Sequence, residues 1–247
     1  MKRYIPNALT LLNLFCGSIA VIFVLNGNFV VGALFVFLGI FFDFFDGFAA
    51  RKLNVQSDLG IQLDSLADMV TSGLVPGLVM FKLLELCGPD WELVNSQTLT
   101  ESFSFSNMAM LPLIGLLITL ASAYRLAKFN IDEDQQSYFK GLPTPANTLL
   151  IISLPLILEF QNNDLINALI LNKWVLLFLT LLSCYLLNSN IKLFALKFKD
   201  WSFKSNASRY VFIILSLVLL LVLHFAAIPL IVAMYIVMSL LDNLTTK

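Results

Sequence analysis

The sequence predicts an all-α fold, a polytopic membrane bundle of about eight transmembrane helices, and three observations support it. The chain of 247 residues is 59% hydrophobic, with a mean hydropathy of +0.86, whereas soluble globular domains are about 45–50% apolar. Apolar stretches near the roughly 20 residues needed to cross a bilayer recur along the chain. Basic residues gather in alternate connections between these stretches, as expected for a membrane protein of defined orientation.

Each apolar stretch predicts one helix. The first follows Lys2 and Arg3, but no small-residue cleavage site ends it, so we interpret it as a retained helix rather than a signal peptide. The fifth stretch is short and the last two nearly touch, so seven helices, or six with re-entrant pieces, are alternatives. The predicted spans are 8–26, 29–50, 61–84, 107–129, 145–160, 169–188, 208–226 and 226–243.

The distribution of basic residues predicts the orientation, because cytoplasmic loops carry an excess of Lys and Arg. With the N-terminus inside, only Lys82 and Lys173 fall on the outer side, and the predicted outer segment 85–106 is acidic without a basic residue. This pattern favours an even number of helices with both termini cytoplasmic. The predicted cytoplasmic basic residues are Lys2, Arg3, Arg51, Lys52, Arg125, Lys128, Lys140, Lys192, Lys197, Lys199, Lys204, Arg209 and Lys247.

Composition also excludes several classes of protein. The formal net charge is −1 and the basic residues are spread over the loops, which argues against a nucleic-acid-binding protein. Cys16, Cys87 and Cys184 lack any paired spacing, so neither a disulfide framework nor a zinc site is expected.

Residues 1–247 are interpreted as one membrane domain, with polar motifs in 1–150 and further transmembrane helices in 151–247. The segment 189–207 alternates basic and apolar residues, which suits either an amphipathic segment at the lipid headgroups or a solvated loop.

Four aspartates lie within the second and third apolar stretches, where such charges are costly unless a cation or a water-lined cavity accommodates them. Asp43 and Asp46 are three residues apart, and Asp64 and Asp68 are four apart, so each pair occupies one helical face. Phenylalanines cover much of the remaining surface of the predicted helix 29–50, so Asp43 and Asp46 are expected to face other helices. Together the two faces predict an all-oxygen metal site near the cytoplasmic surface.

The acid cluster indicates a divalent ion, because converging carboxylates repel one another without a cation. Oxygen ligands favour Mg²⁺ or Mn²⁺ over zinc, and the single histidine, His224, lies far away in an apolar stretch. A hard-metal site beside Arg51 suits a diphosphate substrate and phosphoryl transfer. The alternatives are a structural salt-bridge cluster, for which Arg51 supplies too few cations, and a divalent-ion transport pathway.

The motif formed by these residues resembles the signature of the CDP-alcohol phosphotransferase family. Flanking motifs around 6–13, 62–68, 124–130 and 139–145 are similar to the phosphatidylserine synthase branch, and the similarity covers roughly residues 3–150. The family signature consists of Asp43, Asp46, Gly47, Ala50, Arg51, Gly60, Asp64 and Asp68.

The resemblance implies a six-helix family core plus two helices, and transfer of the phosphatidyl group from CDP-diacylglycerol to L-serine with release of CMP. It implies that Asp43, Asp46, Asp64 and Asp68 hold two Mg²⁺ or Mn²⁺ ions. Asp64 and Asp68 are the implied catalytic residues, with Asp68 as general base. The implied CDP-diacylglycerol site comprises Asn7, Thr10, Gly47, Ala50, Arg51 and Gly60.

The acceptor carboxylate requires a cation, and Arg125, Lys128 and Lys140 lie on the predicted cytoplasmic side. We predict that they bind serine, the alternative being that they only follow the positive-inside bias. Glycerol 3-phosphate and inositol phosphate are alternative acceptors. The family likeness further implies a homodimer. The membrane is that of a bacterium or an organelle, and the short loops favour a bacterial inner membrane with the active site facing the cytoplasm.

Overall fold

The computed structural model describes residues 4–87, 110–131, 139–161, 163–193 and 203–245. Within these ranges the protein is helical apart from one two-stranded antiparallel ribbon, which confirms the predicted all-α class. The strands are β1 (Phe139–Lys140) and β2 (Lys192–Leu193). The helices are α1 (Tyr4–Leu25), α2 (Phe29–Lys52), α3 (Asp58–Asp68), α4 (Val75–Leu86), α5 (Leu117–Ile131), α6 (Thr144–Phe160), α7 (Asp164–Ile170), α8 (Lys173–Asn188), α9 (Phe203–Leu223) and α10 (Ala227–Thr245).

Several helical segments have the length and hydropathy of membrane spans, as a multi-pass membrane protein requires. The described residues contain five such segments, or six if α7 and α8, which meet at a 60° bend, form one span. Helix α6 is apolar but shorter. The last two predicted spans form one apolar stretch, Arg209–Asp242, divided by a 3₁₀ turn at His224–Ala226. The predicted number of eight spans and the cytoplasmic position of both termini stay predictions.

The third predicted span is longer than expected and contains a π-helical segment, Met69–Leu74, which joins α3 to α4 directly after Asp68. Such a segment disturbs the regular helical hydrogen bonds, and in a membrane other groups must satisfy the carbonyls. The Thr148 hydroxyl donates to the Ser72 carbonyl at 2.9 Å, and the Thr119 hydroxyl donates to the Gly73 carbonyl at 3.1 Å. The π-helical segment is thereby hydrogen-bonded to helices α5 and α6.

Small residues allow α1, α2 and the π-helical segment to pack closely. Gly39 of α2 faces α1 and the π-helical segment, and a Cβ added there would lie 2.9 Å from Asn13 Oδ1 and 2.7 Å from Thr71 Cγ2. The Thr71 hydroxyl donates to the Asn13 carbonyl at 3.2 Å. Close approach of membrane helices at small residues is a common packing mode. It brings the faces of α2 and α3 that carry the aspartates together beside α1.

In the second half of the chain, two sets of hydrogen bonds connect segments that are distant in sequence: the β-ribbon and the bonds of the Gln161 side chain. In the ribbon Phe139 pairs with Leu193 and Lys140 with Lys192, next to Gly141, whose φ of +75° favours glycine. Directly after the C-terminal end of α6, the Gln161 amide donates to the Leu223 carbonyl at 2.7 Å and accepts from the Ala226 N–H at 2.9 Å. These bonds satisfy backbone groups at the break between α9 and α10. Residues 88–106 of the predicted outer segment and 194–202 of the predicted amphipathic segment lie outside the described residues.

Candidate functional site

The predicted aspartates converge between α2 and α3. One carboxylate oxygen from each of Asp43, Asp46 and Asp64 lies within 4.8 Å of the others. The Asp43 carboxyl also contacts that of Asp68, which is not a member of this close triad. Phe41, Phe44, Phe45 and Phe48 of α2 are exposed on the surface, as the helical pattern predicts, while Asp46 is only 5% exposed.

Helix α1 orients two of the four carboxylates. The Thr10 hydroxyl donates to Asp46 Oδ2 at 2.5 Å, and the Asn13 amide donates to Asp68 Oδ1 at 3.3 Å. Thr10 and Asn13 are both buried. Sequence reasoning assigned no role to Asn13. The sequence does contain a pattern that could have predicted a role for Asn13. Asn7, Thr10 and Asn13 recur every three residues on one face of a largely apolar helix.

The chemistry of this donor set fits a divalent metal ion. Three carboxylates within 4.8 Å of one another repel strongly in a partly buried site, and a divalent cation removes that repulsion. The donors are all hard oxygens, which suits Mg²⁺ or Mn²⁺. His224 instead lines a separate apolar pocket with Phe160 and Phe225.

A pocket of about 250 Å³ opens beside the acid cluster, and we call it the donor pocket. Its wall is shaped by Gly60, where an added Cβ would lie 3.3 Å from Ser57 Oγ and 3.4 Å from Asn7 Oδ1, so a side chain there would narrow the pocket. Arg51 is exposed and interacts electrostatically with Asp46. The lining comprises Pro6, Asn7, Thr10, Asp46, Gly47, Ala50, Arg51, Val55, Gln56, Ser57, Gly60, Ile61 and Asp64.

The donor pocket therefore brings together all six residues predicted to bind CDP-diacylglycerol. It also contains Gln56 and Ser57, which sequence reasoning missed. Ser57 caps α3, because its side chain accepts from the Gly60 N–H at 3.1 Å. The spacing of the family signature gives no signal for these two loop residues.

A second, much tighter pocket lies beside α5, with a free volume of about 10 Å³, and we call it the acceptor pocket. Arg125 is its most buried cation, 8% exposed. Within the described part of the chain, Nε of Arg125 has no hydrogen-bond partner. Its guanidinium interacts electrostatically with Asp68. The lining comprises Arg125, Lys128, Phe129, Lys140, Leu187, Asn188 and Ser189.

The acceptor pocket thus unites the three basic residues predicted to bind serine, although they are distant in sequence. Leu187, Asn188 and Ser189 were not predicted, since no local pattern connects them with α5. Asn130, whose role the sequence left open, donates from its amide to Ser65 Oγ at 2.9 Å. That bond ties the end of α5 to α3, next in sequence to Phe129 of the acceptor pocket and Asp64 of the donor pocket.

Comparisons with known proteins show which family the chain resembles in sequence. The profile of CDP-alcohol phosphatidyltransferase matches residues 3–186. The chain is 35% identical over 170 residues, 67% of this chain and 81% of the relative, to CDP-diacylglycerol--serine O-phosphatidyltransferase of Bacillus subtilis. It is 31% identical over 166 residues to the protein of the same name from Methanocaldococcus jannaschii, covering 67% of this chain and 66% of that relative. An archaetidylserine synthase of Methanothermobacter thermautotrophicus is 26% identical over 152 residues, covering 60% of this chain and 56% of that relative. The chain belongs to the CDP-alcohol phosphatidyltransferase family.

Proposed function

We propose that this protein transfers the phosphatidyl group of CDP-diacylglycerol to the hydroxyl of L-serine, forming phosphatidylserine and CMP. The observation that carries the proposal is the aspartate cluster itself, two of whose members, Asp46 and Asp64, line a wide pocket, while Asp68 interacts electrostatically with Arg125 of a tight, cationic one. Relatives named for the same reaction support the choice of substrates. Both substrates are amphiphilic or polar, and a site at the end of membrane helices is accessible to each.

Asp43, Asp46 and Asp64 would hold the divalent ions, with Asp68 at the edge of the cluster. We propose two ions, Mg²⁺ or Mn²⁺. When bound, such ions neutralise the oxygens of a diphosphate and stabilise the charge that develops during phosphoryl transfer. The hydrogen bond from the Thr10 hydroxyl restricts the Asp46 carboxylate, which would help it to hold such an ion.

The donor pocket binds the CDP group of the lipid. Gly47, Ala50 and Gly60 leave room for the nucleotide along one wall, and Arg51 at its exposed edge offers a bidentate partner for phosphate. Asn7 supplies a polar contact from α1. The exposed apolar surface of α2 leaves the acyl chains in the bilayer while the diphosphate stays next to the acids.

We infer that serine binds at the acceptor pocket after the pocket widens, since its free volume of about 10 Å³ holds about one water molecule. Arg125 pairs with the serine carboxylate, and Lys128 and Lys140 add positive charge. The serine hydroxyl oxygen attacks the phosphorus that carries diacylglycerol. The bond from this phosphorus to the oxygen of the cytidine-bearing phosphate breaks, and CMP leaves with that electron pair. Asp68 accepts the hydroxyl proton, a role that its place outside the close triad favours, because a carboxylate that binds a metal tightly is a weak base.

The proposal extends to the surroundings of the enzyme. We propose eight membrane spans with both termini in the cytoplasm, an active site facing the cytoplasm, a bacterial inner membrane and a homodimer. The basic residues of the acceptor pocket lie on the side that the positive-inside bias assigns to the cytoplasm. Serine and CMP are water-soluble, so this orientation gives both of them direct access from the cell interior.

The experiment that tests the function is incorporation of labelled serine into lipid by the purified protein with CDP-diacylglycerol. We expect one CMP released for each phosphatidylserine formed, and loss of both products when a chelator removes divalent ions. Glycerol 3-phosphate and inositol phosphate, tested in turn, should give no CMP release above background. Release with either of them but not with serine would assign the same chemistry to another acceptor.

A divalent-ion transporter is the alternative from a different class. The paired acids inside membrane helices are the observation that favours it, since such residues also mark ion routes. Sealed vesicles containing the protein and a metal-sensitive dye distinguish the two functions. An enzyme should leave the dye signal unchanged without CDP-diacylglycerol, whereas a transporter should change it.

A further inference from the structure

Asn13 is the residue of α1 that contacts Asp68, the acid assigned above as general base. Its amide donates to Asp68 Oδ1 at 3.3 Å, although the two residues are 55 positions apart in the chain. The Asn13 side chain is buried, whereas Asp68 is partly exposed. The bond is longer than an ideal one, and bonds at catalytic groups often tighten when substrate binds. Asn13 can therefore orient Asp68 from the protein side without covering it.

Two neighbouring segments hold Asn13 in place. The Thr71 hydroxyl, in the π-helical segment directly after Asp68, donates to the Asn13 carbonyl at 3.2 Å. Gly39 of α2 lies so close to Asn13 that an added Cβ would stand 2.9 Å from Asn13 Oδ1. The amide oxygen thus lies against Gly39, while the amide nitrogen faces Asp68. The absence of a side chain at position 39 gives the Asn13 amide the space for this orientation.

The Asn13 amide adds little to the stability of the fold. Among the described residues, its Oδ1 atom has no hydrogen-bond partner. Burying an amide with one unsatisfied atom costs free energy, which an apolar side chain would avoid. Within the same part of the chain, the bond to Asp68 is the one hydrogen bond that the side chain of Asn13 makes. This combination argues for a role at Asp68 rather than a role in folding.

We propose that Asn13 is a positioning residue that holds Asp68 in the orientation in which it accepts the proton of the acceptor hydroxyl, an inference that rests on the proposed function. A general base must lie within hydrogen-bond reach of the proton that it removes, and small misplacements lower the rate. Asp68 lies outside the close triad of carboxylates, so it requires another partner to restrict its rotation. Thr10 has a different role, because it bonds to Asp46 within the triad.

The test uses Asn13→Ala, which removes the amide, and Asn13→Ser, which removes it but keeps a polar side chain. We expect kcat for CMP release to fall at least about tenfold, as for the loss of one hydrogen bond to a charged group. The KM values for serine and CDP-diacylglycerol should change less than about threefold. The metal concentration for half-maximal activity should stay within about twofold, because Asp68 is outside the triad.

Ser18→Ala is the matched control for these variants. Ser18 is an exposed polar residue on the same helix, and its hydroxyl donates to the Leu14 carbonyl at 2.9 Å. Its replacement should leave kcat, both KM values and the metal requirement unchanged.

A double-mutant cycle separates positioning from a general structural effect. In an Asp68→Asn background, Asn13→Ala should no longer lower the residual kcat, because the base that it positions is gone. The proposal for Asn13 would be overturned by equal losses in both backgrounds, by an unchanged kcat in the single variants, or by failure of both single variants to fold. A metal requirement that rises as much as kcat falls would also overturn it. Each of these results leaves the proposed function intact, whereas absence of serine transfer by the unmodified protein would overturn both.

Discussion

The donor pocket and the acceptor pocket are built in opposite ways. Every residue lining the donor pocket lies between positions 6 and 64, on α1, α2, α3 and the loop between the last two, and the pocket has about 250 Å³ of free volume. The acceptor pocket takes its lining from positions 125 to 189 on separate segments and has about 10 Å³. The donor pocket is thus a local structure of neighbouring helices, whereas the acceptor pocket depends on how distant segments pack.

The two pockets also differ in charge. Asp46 and Asp64 line the donor pocket and belong to the carboxylate triad that suits metal ions, while Arg125, Lys128 and Lys140 line the acceptor pocket. Asp68 lies at the boundary, in contact with Asp43 and in electrostatic interaction with Arg125. In this position Asp68 could accept the proton of a hydroxyl group bound in the acceptor pocket, if it acts as the proposed base. The difference predicts that substitutions on one side alter one substrate's parameters and leave the other's unchanged.

The largest effect is expected for Asp64→Asn, which removes one carboxylate of the close triad. Loss of a metal ligand removes several kcal/mol of charge stabilisation, so CMP release should fall by at least about 10³-fold. Metal-dependent binding of CDP-diacylglycerol, measured with a labelled lipid, should be lost as well. Asp58→Asn is the control, because Asp58 is an exposed acid at the start of the same helix. Retained metal-dependent binding in Asp64→Asn would remove Asp64 from the metal site.

Asp68→Asn should separate chemistry from binding. General-base catalysis contributes about 10²–10⁴-fold, so turnover should fall within that range while CDP-diacylglycerol still binds in a metal-dependent way. The Asn13 amide that donates to Asp68 can instead pair with the new amide oxygen, which limits structural damage. A variant that loses lipid binding but keeps its rate at saturating lipid would contradict the role of Asp68 as base.

The contrast between the pockets explains how much of the site was predictable. The spacings of three and four residues on α2 and α3 are local, so helical periodicity sufficed to bring Asp43, Asp46, Asp64 and Asp68 onto facing surfaces. Leu187, Asn188 and Ser189 line the same pocket as Arg125 only because of tertiary packing. No pattern in their local sequence predicts that they lie near Arg125. Their detection from sequence would require the fold of the C-terminal part.

On the acceptor side, Arg125→Ala should raise the KM for serine about 100-fold, because removing one partner of a buried charged pair costs several kcal/mol. The KM for CDP-diacylglycerol should stay within about threefold of the original. Arg125→Lys keeps the charge but loses the bidentate geometry and should be intermediate. Lys82→Ala is the control, as Lys82 pairs with Glu85 at 2.7 Å on α4. Equal increases in the KM values for serine and for CDP-diacylglycerol would indicate that Arg125 binds the phosphates of CDP-diacylglycerol instead of serine.

The same distinction between local and distant information applies to the fold. Hydrophobic stretches near membrane length located the spans now seen as α1 and α2, because length and hydropathy are local properties. The π-helical segment after Asp68 and the bend between α7 and α8 were not predicted. In the π-helical segment, carbonyls accept bonds from Thr119 and Thr148, partners 46 and 76 residues away. Hydropathy is a local property of the sequence, so it does not predict hydrogen bonds between residues this far apart.

The smallest effect concerns Thr10, whose hydroxyl donates to Asp46 from α1. Thr10→Val keeps the shape of the side chain and removes this bond, and a hydrogen bond to a charged group is worth about 1.5–3 kcal/mol. The metal concentration for half-maximal activity should therefore rise about tenfold. Thr10→Ser, which retains the hydroxyl, should behave as the original protein. Because Thr10 lines the donor pocket and not the acceptor pocket, the KM for serine at saturating metal should not change, and a parallel increase in it would show that the two pockets are coupled.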